Sequence, residues 1–136
     1  MKRGILAVAA VFISWALLDF VIHWLILGCT YAATAQLWRP MEEMKMGLMY
    51  FNSLVVAIIF VYLYARYIAG KGVCTGVAYG LLMGIMWGIS MGYGTYSVMP
   101  IPYYMALVWF LGTVVEMTLA GLWVGLIIRE PAGESA

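Results

Sequence analysis

The sequence predicts an all-α, polytopic membrane protein: four transmembrane helices in a compact bundle, with two tandem helical hairpins as a finer option. Three observations predict it. Apolar residues make up 66% of the 136 and charged residues 10%, whereas a soluble domain is about a quarter charged. Four apolar segments, Ile5 to Leu27, Gly47 to Ala69, Val73 to Met91 and Tyr103 to Ile128, approach or exceed the roughly 20 helical residues that cross the hydrocarbon. The third observation is a glycine at every fourth position from Gly72 to Gly92, six in all. Each would cost a soluble helix about 1 kcal/mol relative to alanine, whereas in lipid such a glycine zipper lets another helix approach closely. The segments are too long for barrel strands and lack sustained polar and apolar alternation. The chain, 1–136, reads as a single four-span membrane domain.

The first span begins behind Lys2 and Arg3 and carries Asp19 and His23. A basic start, an apolar run and the small residues Ala33 to Ala35 resemble a secretory signal, but the run is longer than a signal core and holds two ionisable groups, so the helix is expected to be retained. The loop from Gly28 to Met46 places Tyr31 and Trp38 at headgroup depth. Within it, Arg39-Pro40 followed by Glu42 and Glu43 has the form of a helix start. The second helix is therefore expected from about Pro40 to Tyr67, with Tyr62, Tyr64 and Tyr67 at the opposite interface.

The third span is the glycine helix. Four residues advance 400° around an ideal helix, so the glycines drift by about 40° per step into a slowly winding stripe. Gly121 and Gly125, with Gly112 and Ala120 nearby, offer a matching surface on the fourth span. The stripe serves either that neighbour or a second subunit, in a homo-oligomer or larger membrane complex. Gly92-Tyr93-Gly94 resembles the middle of a potassium-channel filter, but Thr-Val does not precede it and it closes a full-length span, so it reads as a helix cap. Pro100 and Pro102 end the third loop and set the start of the fourth span. The tail after Arg129 is small and polar and is expected to be disordered. Leu17-Leu18 recurs as Leu81-Leu82 at an offset of 64, which also aligns Asn52 with Glu116 and is the basis of the two-hairpin option.

Four polar residues inside the spans carry whatever chemistry there is: Asp19, His23, Asn52 and Glu116. Asp19 and His23 are four apart and share a helix face. Asn52 lies at similar depth, and Glu116 about one to two turns deeper. A lone carboxylate in lipid is costly, so these groups should face inward, pair or be protonated. The set reads as a ligand-binding site, a polar pin or a catalytic site, and Asp19, His23 and Glu116 would suit a divalent metal such as zinc, iron or manganese. Eleven methionines, clustered at Met41, Met44, Met46 and Met49, favour copper less, because no M-x-x-x-M pair lies within a span. Cys29 and Cys74 are expected on opposite sides of the bilayer, without a disulfide or C-x-x-C context.

Function therefore reads as a small inner-membrane protein of bacterial type that binds or translocates a small ligand or cation through an interior polar site. A structural or assembly subunit and an integral membrane enzyme using the Asp, His and Glu cluster are the alternatives. A net charge of +1 gives no basis for nucleic-acid binding. Lys2, Arg3, Arg66, Lys71 and Arg129 fall on one side of the four spans and Arg39 and Lys45 on the other, so the positive-inside rule places both termini in the cytoplasm. A cysteine introduced at position 71 should resist an impermeant thiol reagent in intact cells, and labelling from outside would reverse the map.

Overall fold

The computed structural model describes residues 2–129; the tail expected to be disordered lies outside the described residues. Helix α1 (Lys2–Asp19) runs directly into a π-helical turn (Phe20–Ile26), giving a first span of 25 residues. A short helix α2 (Gly28–Ala33) and the 3-10 turns Ala35–Leu37 and Met41–Glu43 form the long loop. Helix α3 (Met46–Tyr67) is the second span. Helix α4 (Val73–Ile89) continues through a second π-helical turn (Ser90–Gly94) into α5 (Thr95–Val98), and α6 (Tyr103–Ile127) is the fourth span. All four spans are long and apolar enough to cross a membrane. Their outward faces carry large apolar side chains, such as Leu6, Leu82 and Val115, each more than half exposed, the surface that lipid requires. The chain is a membrane-embedded four-helix bundle.

Two helix limits differ from expectation. The second helix begins at Met46, because after the Met41–Glu43 turn Met44 is extended (φ −66°, ψ 129°) and breaks the run from Pro40. The third span does not stop at Met91 but extends to Val98. Gly92-Tyr93-Gly94 is consequently part of a π-helical turn inside the span, with Gly92 buried, and caps nothing.

The glycine stripe is filled by α6 of the same chain. All four buried residues of α4 are glycines, Gly76, Gly80, Gly84 and Gly88, so its contribution to the core is backbone. A Cβ at Gly76 would strike the Gly121 carbonyl oxygen, and one at Gly121 would strike that of Gly76. A Cβ added at Gly80 would likewise strike the Met117 carbonyl, one at Gly84 would come within 2.8 Å of the Val114 Cα, one at Gly88 within 2.9 Å of the Phe110 carbonyl and one at Gly92 within 2.5 Å of the Ala106 carbonyl. Each step of four along α4 is answered by a step of four, once of three, along α6. The seam from Gly72 to Gly92 is about 30 Å long, the full hydrocarbon thickness. Backbones this close admit Cα–H···O=C contacts, each a fraction of a kcal/mol, with van der Waals contact supplying the rest.

The remaining helices are placed around that pair. Helix α1 packs against both α6 and α3, giving the order α3, α1, α6, α4, whereas α3 and α4, though consecutive, hardly approach each other. The two hairpins are thus joined through their α1 and α6 members. The main core lies toward the termini end, where Val11, Phe60, Tyr64, Ala120 and Val124 are buried together. There Tyr79 of α4 clasps α3: its hydroxyl donates to the Phe60 carbonyl (3.0 Å) and its ring lies 4.7 Å from that of Phe60. The Tyr64 hydroxyl both donates to the Gly72 carbonyl and accepts from the Gly72 N–H, each at 3.0 Å, fixing the turn. Toward the loop end nothing comparable ties α3 to α4. The buried residues of α3, Ala57, Phe60, Val61 and Tyr64, all lie in its second half, and a cleft widens above them.

Gly80→Ala should lower thermal stability by roughly 1–3 kcal/mol equivalent, because its methyl meets backbone on α6 that cannot yield. Gly47→Ala, with nothing within 4 Å, should be neutral or slightly stabilising. Equal melting temperatures for Gly80→Ala and Gly47→Ala in the same detergent would remove the seam.

Candidate functional site

The cleft between α3 and α4 has a volume of about 390 Å³, and its lining includes Asp19, His23, Asn52 and Glu116. Three spans and the first π-helical turn supply them. Glu116 sits level with Trp15, whose indole N–H donates to the Glu116 carbonyl (3.0 Å), one turn below Asp19. The depth difference is closed by helix direction. Side chains lean toward the N-terminus of their own helix, so on antiparallel α1 and α6 the Asp19 carboxyl leans toward the termini end and that of Glu116 toward the loop end. Both carboxyl-bearing residues line the same cleft as a result. The Asp19 and His23 side chains are 47% and 46% exposed, which opens them to the cleft rather than sealing them in the core.

His23 is held by a chain of hydrogen bonds that begins in the loop. The Trp109 indole N–H donates to the Tyr31 hydroxyl oxygen (3.0 Å), and that hydroxyl lies 2.6 Å from His23 Nδ1. An indole N–H only donates, which leaves the single Tyr31 O–H free to donate to His23. In the neutral imidazole Nδ1 is then the acceptor and Nε2 carries the hydrogen, directed at Asp19 Oδ1 3.7 Å away. The order Trp109, Tyr31, His23, Asp19, Glu116 thus leads from the loop to the middle of α6. Trp38 supports the chain edge-on, 5.4 Å from Tyr31 and 6.1 Å from Trp109 between ring centres. Burial pushes the Tyr31 phenol above its ordinary value, with the Trp109 N–H opposing the rise, so its proton stays in place at neutral pH. The stability this confers is present below the unfolded tyrosine value, about pH 10, and is lost as pH climbs through the folded one.

The polar inventory does not close. Among the described residues three buried side-chain atoms have no hydrogen-bond partner, Glu116 Oε1, Thr118 Oγ1 and Trp123 Nε1, all on α6. Only Glu116 of these three residues lines the cleft. Nor do the expected metal ligands assemble: among the described residues no group of three or more His, Cys, Asp or Glu side chains is placed to hold a metal ion. The reason is local, since His23 directs Nδ1 to Tyr31 and Nε2 to Asp19, leaving neither nitrogen turned toward Glu116. Cys29 and Cys74 are free and exposed.

Sequence reasoning missed Tyr31, Trp15, Trp87 and Trp109. Trp15 precedes Asp19 by four residues and Trp109 precedes Glu116 by seven, so helical spacing alone marks both as sharing a face with a carboxylate. Tyr31 and Trp38 fold back on the start of α6, beside buried Leu27, Ile101 and Met105. The π-helical turn makes this return possible, because it alters the direction in which the chain leaves the first span. Neither a protein-family model, nor a curated protein, nor a solved structure matches the chain.

The chain holds one histidine, so selective ¹⁵N-histidine labelling reports on His23 alone. The spectrum should show an unprotonated Nδ1 and a protonated Nε2. Tyr31→Phe should change that pattern and lower stability by about 1–3 kcal/mol, since it strands the Trp109 N–H. An unchanged spectrum would show that Tyr31 does not set the tautomer.

Proposed function

We propose that the protein binds a small ligand or cation in the cleft between α3 and α4, as a multi-pass protein of the bacterial inner membrane with its termini in the cytoplasm. On that orientation the cleft lies in the outer half of the bilayer, and uptake or release of the ligand there is the step toward translocation. What carries the reading is the unpartnered Glu116 Oε1 beside a cleft that also takes in Asp19, His23 and Asn52. A polar pin gains its stability by satisfying its own groups, since a buried acceptor without a donor costs about 1–3 kcal/mol. Here one carboxylate oxygen is left without a donor and a second acidic residue lines the same cleft, an arrangement that favours a ligand and penalises the empty fold.

The two readings separate on stability without a ligand. Glu116→Gln removes one of the two acids from the cleft and supplies a donor, so the variant should melt at the same temperature as wild type or higher. A pin would instead lose on the order of 1–3 kcal/mol. A loss of that size in both Glu116→Gln and Asp19→Asn, with wild type giving no thermal shift on titration with ammonium, alkylammonium, potassium or manganese salts, would overturn the proposal.

A further inference from the structure

We infer that the ligand of this cleft is an organic ammonium with an apolar body, admitted from the bilayer between α3 and α4; the inference rests on the reading of the cleft as a binding site. The charge balance fixes the sign. No lysine or arginine lines the cleft, and its charged side chains are the acids Asp19 and Glu116 with His23 beside them. An anion would meet two carboxyl groups in a low dielectric and be excluded, whereas a cation meets both.

The walls select among cations. Trp15, Trp87 and Trp109 line the cleft. The N–H groups of Trp15 and Trp109 are already committed to the Glu116 carbonyl and the Tyr31 hydroxyl, so what these rings retain for a ligand is their π surface. A cation within about 6 Å of an indole face gains about 0.5–2 kcal/mol, most when it is already desolvated, as alkylated ammonium is and a hydrated metal ion is not. A second space of about 110 Å³ adjoins the first and shares Val56, Trp87 and Met117 with it. Ile59, Phe60, Leu63 and Met83 complete it with no polar side chain, which suits a hydrocarbon group attached to the charged nitrogen. The two spaces together run along the gap between α3 and α4, whose backbones stay apart and which meet mainly through Tyr79 at the termini end. The head would lie between Asp19, Glu116 and the indoles, and the body would lie over Met117 against α3.

Benzyltrimethylammonium and its uncharged carbon isostere, neopentylbenzene, separate charge from shape. Binding is measured by equilibrium dialysis on the full chain in lipid nanodiscs, with empty nanodiscs subtracted for partitioning. The ammonium should bind saturably at one per chain, the isostere at least tenfold more weakly. Glu116→Gln should reduce ammonium affinity tenfold or more, and Met83→Trp, which fills the apolar space, should do so severalfold while leaving tetramethylammonium binding unchanged. If Glu116→Gln does not fold, Asp19→Asn replaces it. Equal binding of ammonium and isostere, or no saturable ammonium binding, overturns the inference. In that event a Glu116-dependent thermal shift with potassium, manganese or a neutral polar solute would leave the cleft as a binding site for another class, and its absence would remove both.

Discussion

The fold depends on the approach of two backbones. In lipid, helices gain nothing by hiding apolar side chains from water, so association rests on how closely atoms pack. Helix α4 meets this constraint by burying only glycine, at Gly76, Gly80, Gly84 and Gly88, with Gly92 extending the contact to α6 beyond the helix proper. Because the buried positions of α4 are all glycine, its larger residues Met83 and Trp87, and Met91 in the π-helical turn that follows, are left to point elsewhere. All three border the space toward α3. The cleft is therefore a consequence of the seam: an α4 drawn hard against α6 is unavailable to α3, which finds its main partner in α1.

That arrangement determines the electrostatics as well. Asp19 and Glu116 come from helices of opposite direction, and the lean of side chains along each helix brings them to one level although their Cα positions are a turn apart. Low dielectric makes every uncompensated group near them consequential. Tyr31 supplies compensation for His23 from outside the spans, and it reaches that position because the loop packs on α6 through Leu27 and Trp38. A single-span feature, the π-helical turn Phe20–Ile26, links the two: it ends the α-helical register after Asp19 and sets the direction from which the loop returns.

Much of this was legible in the chain and some was not, for physical reasons. Composition and length determine the number of spans, since bilayer thickness is external to the protein and the same for every segment. The glycine period declared a seam because no side-chain preference other than close approach explains it, and Gly121 and Gly125 marked its other half. The residues of the cleft stood out as Asp19, His23, Asn52 and Glu116 because polar groups in lipid are conspicuous. The extension of α3 back to Pro40 did not follow, although Pro40, Glu42 and Glu43 satisfy the local rules for a helix, because the chain makes one 3-10 turn and becomes extended at Met44 before the span starts at Met46. Neither π-helical turn has a local signature, and the role of Tyr31 depends on a partner 78 residues away. Long-range pairing of that kind is set by the assembled bundle.

On the proposed reading the gap between α3 and α4 opens to the hydrocarbon, and lipid is then a competitor for the cleft. An acyl chain can lie along Ile59, Leu63 and Met83 at little cost whenever nothing else does. A solute arriving there exchanges one apolar neighbour for another and gains almost nothing from its greasy portion, however large. Discrimination is left to the few groups that lipid tails cannot imitate: Asp19, Glu116 and the indole faces around them. If the proposed ligand enters there, its occupancy becomes a joint property of protein and membrane, rising in bilayers whose chains fit the gap poorly and falling in those whose chains fit it well.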